Sequence, residues 1–157
     1  MKLVRMLPLL AMLAQPSPAQ SGPGLLLTPA QLNAEMRDPR LVLLYVGTRE
    51  DYNAGHVAGA RFIEMQDVAV DPRLPGLPLE LPDDAELRQR LEKFGISDNS
   101  KIVIVFGAGY KSPSTRIAWS LQVAGLGAQT RYLDGGTVAW KSAGLPLTTA
   151  EPAAATP

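Results

Sequence analysis

The sequence predicts an α/β domain, a small doubly wound parallel sheet with helices on both faces. Three observations carry this. Short apolar runs at Leu41–Val46 and Lys101–Phe106, with a briefer one at Thr130–Leu133, suit strands covered on both sides. Stretches with helical apolar spacing and capping signals separate them. The 157 residues fit one core, with no internal repeat or second domain evident.

Taken in order, Lys2 and Arg5 precede the apolar run Met6–Leu13, and Ser17 and Ala19 supply small residues three and one before a cut. This is the layout of a secretory signal peptide over 1–19, cleaved after Ala19. The same residues also read as an apolar tail or an uncleaved anchor. The run is shorter than the roughly 20 apolar residues that cross a bilayer, so the mature form is expected to have no transmembrane segment. The expected location is outside the cytoplasm, periplasmic or secreted. Residues 20–27 read as a linker, 28–147 as the domain, and the Ala/Pro/Thr-rich 148–157 as a disordered tail.

Within the domain, Thr28-Pro29-Ala30-Gln31 offers a cap, a proline at the first helical position and Gln at the third. The strand Leu41–Val46 follows, then a helical turn at 49–53, then Arg61–Ile63 as a short strand. Prolines at 72, 75, 78 and 82 with Gly76 make 71–82 a surface loop. Asp83 to Glu86 caps a helix with Leu87, Leu91 and Phe94 on one face and Gly95 as its stop. After the strand 101–106, Ser112-Pro113 opens a helix as cap and first residue, with Ile117, Leu121 and Ala124 inward. The strand 130–133 leads through Asp134-Gly135-Gly136 to a last helix, 137–143.

Composition narrows the function. A net charge of zero removes the basic footprint of a general nucleic-acid binder. No cysteine means no disulfide, no cysteine-based zinc or iron–sulfur site and no thiolate catalysis. A single histidine cannot build a multi-histidine metal site. No cofactor is expected.

Ligands in open α/β sheets bind beyond the carboxyl ends of strands, where loops meet helix N-termini. Phe106-Gly107-Ala108-Gly109-Tyr110-Lys111-Ser112 occupies that place. Its two glycines let backbone N–H groups curl inward, and the following helix and Lys111 add positive charge, so the loop can cradle an anion. The spacing fits neither the P-loop nor the dinucleotide fingerprint, and a turn needing conformational freedom is the plainer reading.

From Leu41 to Leu147 the chain resembles the rhodanese-like domain family. The resemblance rests on Gly55-His56-Val57-Ala58-Gly59-Ala60, the strand, loop and helix over 101–124, Leu133-Asp134-Gly135-Gly136 and Trp140-Lys141-Ser142-Ala143-Gly144. Leu91-Glu92-Lys93-Phe94-Gly95-Ile96-Ser97-Asp98 looks most like one domain of the thiosulfate/mercaptopyruvate sulfurtransferases. The resemblance implies a catalytic Cys at the end of the central strand, Gly three residues on and often a basic residue five on. Gly109 and Lys111 match, which sets Phe106 where that Cys stands. Sulfur uptake as a persulfide needs a thiolate, which phenylalanine cannot supply. The cysteine-based phosphatase mechanism of a related fold is excluded on the same ground. The family's Asp, with Arg two residues later after the first strand, is replaced by Tyr45 and Gly47, which implies altered packing around the site. Noncatalytic N-terminal halves of two-domain sulfurtransferases give such a silent copy precedent.

The candidate ligand residues are therefore Gly107, Ala108, Gly109, Tyr110, Lys111, Ser112 and Arg116, with Phe106 as the degenerate catalytic position. His56 reads as a residue fixing a turn, Ser112 as a helix cap rather than a nucleophile activated by Lys111, and Trp119 and Trp140 as packing residues. The expected function is that of an exported, noncatalytic module binding a protein partner or a small sulfur-containing anion, without nucleic acid. The alternatives are an accessory subunit of a sulfurtransferase, a divergent enzyme, or a structural protein with no ligand.

Overall fold

The computed structural model describes residues 24–153, apart from 72, 74–76 and 78. The expected signal segment 1–19 and the last four residues of the expected tail lie outside the described residues.

Thr28 opens the first helix with a complete capping box, accepting from the Gln31 amide while the Gln31 side chain accepts from the Thr28 amide. This helix, α1 (Pro29–Glu35), buries Leu32. The strand β2 (Leu41–Val46) buries every residue after its first, so the run is apolar because both faces are covered. Thr48 caps α2 (Arg49–Ala54), which leads to the short strand β3 (Ala60–Phe62). Asp83 caps α3 (Asp84–Glu92), and Gly95 at φ +74° ends its last turn. The central strand β4 (Lys101–Phe106) is followed by α4 (Lys111–Val123), then β5 (Thr130–Leu133) and α5 (Gly136–Ser142).

With a further strand β1 (Leu26–Leu27), the strands form one parallel sheet in the order β1-β5-β4-β2-β3. The strand β1 pairs with β5 and was not expected: it falls in the stretch read as a linker. Two residues are too few for a periodicity signal, and the hydrogen bonds from Tyr132 and Asp134 to the carbonyls of Leu25 and Leu27 recruit them. Alternation along β4 divides the core. Ile102 and Ile104 pack with α3 and α4 through Leu87, Leu91, Ile117 and Leu121, while Val103 and Val105 pack with Leu32, Tyr52 and Trp140 of α1, α2 and α5. The expected doubly wound α/β architecture is the one observed.

Residues 148–153 belong to the stretch read as a tail. Thr148 bridges to His56 and the segment stays on the domain through hydrogen bonds that composition does not encode.

Ion pairs gather at the amino ends of the strands. Asp38 meets Lys101 at 2.7 Å and Arg40 at 3.1 Å, and Glu35 meets Arg131 at 2.5 Å. The Arg40 hydrogen bond, followed by that of Lys101, holds the Asp38 carboxyl well below its ordinary range, and Arg131 lowers Glu35. Arg73 lowers the loop residue Asp71 to about 2. A carboxyl depressed by folding contributes stability above its unfolded pKa and loses it as pH falls through the folded value. The urea midpoint is therefore expected to hold near neutrality and fall steadily below about pH 4 toward pH 2. A midpoint flat across that range would show that these pairs contribute nothing.

Candidate functional site

The chain runs outward from β2 to β3 and, in the other direction, from β4 to β5, so the connections diverge between the adjacent strands β2 and β4. Such a switch point opens a crevice beyond the carboxyl ends. Val46 and Phe106 are register partners at those ends, and the Gly107 amide donates to the Val46 carbonyl at 2.9 Å.

The loop after β4 is a tight turn. The Tyr110 amide donates to the Gly107 carbonyl at 3.1 Å, and Gly109 takes φ +79°, where a side chain is strained. Two amides of the expected cradle, those of Gly107 and Tyr110, are thus consumed by the backbone. Those of Ala108, Gly109, Lys111 and Ser112 have no backbone partner among the described residues. All four residues precede or open the thirteen-residue α4, whose first-turn N–H groups carry partial positive charge.

Beneath the loop stands Tyr45, 1% exposed. A Cβ on Gly107 would lie 2.9 Å from its hydroxyl, and one on Gly47 would lie 2.6 Å from its ring. Both glycines are therefore required by the tyrosine that fills the floor of the site. Burial raises the Tyr45 phenol above its ordinary value, with the Asp51 charge adding to it and Thr137 opposing. The phenol is therefore neutral and no base. Phe106 is half-buried at the strand tip, its ring against Gly136, where an added Cβ would come within 2.9 Å of the ring.

The other expected residues divide. Lys111 and Ser112 are exposed on the first turn of α4, and no hydrogen bond joins their side chains. Ser112 is not the cap: the helix begins at Lys111 after Tyr110, whose side chain makes no capping bond, and Pro113 is its third residue. Proline is tolerated there because first-turn N–H groups have no helical partner, so its position did not fix the start. Arg116 points its guanidinium at the Leu79 carbonyl and over the Trp119 ring, 4.5 Å from the centroid, so it is engaged away from the loop. Trp119 is 49% exposed and not a core residue, whereas Trp140 is buried and donates to the Pro146 carbonyl at 2.9 Å.

A cavity of about 390 Å³ adjoins the loop, walled by Gly47, Thr48 and Arg49 after β2, Glu64, Met65 and Gln66 after β3, and Tyr110 and Pro113. Of its residues, the sequence reading named Tyr110 as a candidate and Gly47 and Pro113 in passing, and gave no ligand role to the others. Thr48-Arg49 carried only a helix-start signal, and Glu64–Gln66 form a turn with no pattern. Arg49 lies over the Phe62 ring at 3.7 Å from the centroid, which fixes a cation at the rim. The assembled site offers backbone amides, cations and a closed aromatic floor, but no nucleophile aligned with a base.

The family model of the rhodanese-like domain matches residues 28–143. A "Probable 3-mercaptopyruvate sulfurtransferase" of Pseudomonas aeruginosa is 34% identical over 137 residues, 80% of this chain and 48% of its own. A thiosulfate sulfurtransferase of Azotobacter vinelandii is 31% identical over 134 residues, 83% of this chain and 47% of its own. Among solved structures, the 3-mercaptopyruvate sulfotransferase SseA of Escherichia coli superposes with a TM-score of 0.67 at 22% identity, covering 83% of this chain and 51% of that one. The chain spans about half the length of these relatives. With the parallel sheet, the switch-point loop and the Asp-Gly-Gly turn in place, this chain belongs to the rhodanese-like domain family, with no cysteine anywhere in its sequence.

Proposed function

We propose that the protein is an exported rhodanese-like domain with no sulfurtransferase activity of its own, which binds a small anion or a protein partner at the loop 106–112. One observation carries this: the strand tip that faces the loop amides holds Phe106, in a chain of 157 residues without a thiol. Sulfane sulfur is carried on a thiolate, and no other side chain here forms a persulfide. The unspent amides, Lys111 and the rim cation Arg49 support an anion. The relatives' names point to thiosulfate-like and mercaptopyruvate-like anions as the first to test. The basic, apolar and small-residue pattern of 1–19 supports export.

A second reading is favoured by one fact, the half-length match. The chain then serves as a noncatalytic partner domain completing a separate sulfurtransferase, and copurification of such an enzyme from the native compartment would select it.

The test has two arms. Incubation with thiosulfate and cyanide is expected to give no thiocyanate above a blank without protein; thiocyanate formation would overturn the noncatalytic reading. Thiosulfate, sulfite or phosphate is expected to raise the thermal midpoint, since a ligand bound only by the native state must do so. Lys111→Ala is expected to weaken that binding roughly tenfold, the lower end for a hydrogen bond to a charged group because Lys111 is exposed. Unchanged affinity would remove the loop as the site.

A further inference from the structure

His56 is 1% exposed and takes no part in the site, yet both of its ring nitrogens are engaged. Nδ1 lies 2.8 Å from the Tyr52 carbonyl oxygen, and Nε2 lies 3.2 Å from that of Ala150. The ring stacks on Tyr52 with centroids 3.8 Å apart and planes 6° from parallel. Around it, Thr148 and His56 exchange both backbone hydrogen bonds at 2.9 and 2.8 Å. The Tyr52 hydroxyl stands 2.9 Å from the Ala60 carbonyl and 3.3 Å from Glu151 Oε2, and Arg61 donates to the Ala153 carbonyl at 3.4 Å. Residues 148–153 thus form a strap across the corner between α2 and β3.

A carbonyl oxygen only accepts. The neutral imidazole has one N–H and can satisfy Tyr52 or Ala150 but not both, leaving one nitrogen lone pair facing an oxygen; the imidazolium donates to both at once. Of the two, the Tyr52 bond lies within one turn of chain, whereas the Ala150 bond reaches across 94 residues and is the ring's own contact with the strap.

We propose that His56 is a proton-operated latch for the C-terminal strap: protonated on both nitrogens it clasps Ala150, and on losing one proton it keeps Tyr52 and releases the strap. The charged and titratable groups around it are few. Glu151 of the strap is the acidic side chain at the stack, Tyr52 contributes a phenol, Arg61 of β3 holds the strap's far end, and Arg49 of α2 lies 5.8 Å from the Tyr52 ring centroid. Asp51 of α2 accepts the Gly55 amide through its carbonyl. Docking of the strap by the doubly protonated ring takes up a proton, so it strengthens as pH falls and weakens as pH rises; pH 5–8, where imidazoles in general change charge, is the window to scan. The helix the strap pins also supplies Thr48 and Arg49 to the wall of the site cavity, so strap and site share one six-residue element.

Nuclear magnetic resonance of the full chain tests this without ambiguity, because His56 is its one histidine. At the acid end of the window both ring nitrogens are expected to carry protons, with the Thr148 and Ala150 amides protected from exchange after correction for intrinsic rates. As the ring loses its second proton, that protection is expected to be lost with the same midpoint, while the amide of Ile104 in the central strand stays protected. A neutral, single-tautomer ring across the whole window overturns the proposal, and so does a ring that titrates while the strap amides do not respond. His56→Gln retains a donor but cannot titrate, and its strap protection is expected to be independent of pH. Wild-type pH dependence in that variant would assign the effect to another group and sink the latch. Should the variant not fold, the wild-type titration decides alone.

Discussion

Gly136→Ala is expected to destabilise the protein by about 3 kcal/mol or more. The backbone at 136 sits at φ +58°, in the left-handed region, where a residue with a Cβ carries a strain of about 1–3 kcal/mol. The space is also taken. A Cβ there would lie 2.2 Å from the Phe106 carbonyl oxygen and 2.9 and 3.0 Å from two atoms of its ring. The oxygen belongs to the central strand, which cannot retreat without breaking its ladder with β2 and β5, so overpacking adds about 1–3 kcal/mol. At this chain length the thermal midpoint should fall by roughly 6–12 °C. Gly144→Ala is the control, since Gly144 has φ +72° but nothing within 4 Å of an added Cβ. Its loss should be the strain alone. Equal losses in the two variants would mean that the contact between Gly136 and Phe106 has no energetic weight. The Asp-Gly-Gly turn is on this account a close-packing device: it lets α5 begin directly against the strand tip that carries Phe106.

What was legible beforehand follows from how local each signal is. The capping box at Thr28 and Gln31, the buried run Leu41–Val46 and the Gly95 stop are decided within a few residues, and they fold as read. The start of α4 was misplaced because serine before proline is a cap signal only where the backbone has not already turned helical, and the Gly109 turn sets that earlier. The strand Leu26–Leu27 and the strap at 148–153 exist because distant carbonyls and amides meet them, Tyr132 and Asp134 in one case and His56 in the other. Nothing in their own residues announces it. In the candidate site, the glycine turn after β4 and the missing thiol were legible by position and residue type. The role of Tyr45 was not, since its ring explains Gly47 and Gly107 only once the strands are side by side. The engagement of Arg116 was hidden for the same reason: helical spacing does not show that the Leu79 carbonyl stands within reach.

Phe106→Cys should give the chain the thiol chemistry that its sequence, without a cysteine, has no group to supply. The substitution sets a sulfur at the tip of β4, before four amides without backbone partners and the N-terminus of a thirteen-residue helix, with Lys111 nearby. Such surroundings lower a thiol below the free value of about 8.5, and the thiolate is the nucleophile. The thiolate then attacks the outer sulfur of thiosulfate, the S–S bond breaks, sulfite leaves, and the resulting persulfide passes its outer sulfur to cyanide as thiocyanate. Loss of the half-buried ring should cost about 1–3 kcal/mol, less than truncation of a fully buried phenylalanine, so the variant remains folded at 25 °C. Two readouts separate the steps. The pH dependence of alkylation reports the thiol's acidity, and thiocyanate formation reports turnover, with wild type as the zero. A lowered thiol pKa without turnover would place the defect in the Tyr45 floor and the bare Gly47. An ordinary thiol would mean that the free amides do not converge on the strand tip, and the anion site proposed for the loop would fall with it.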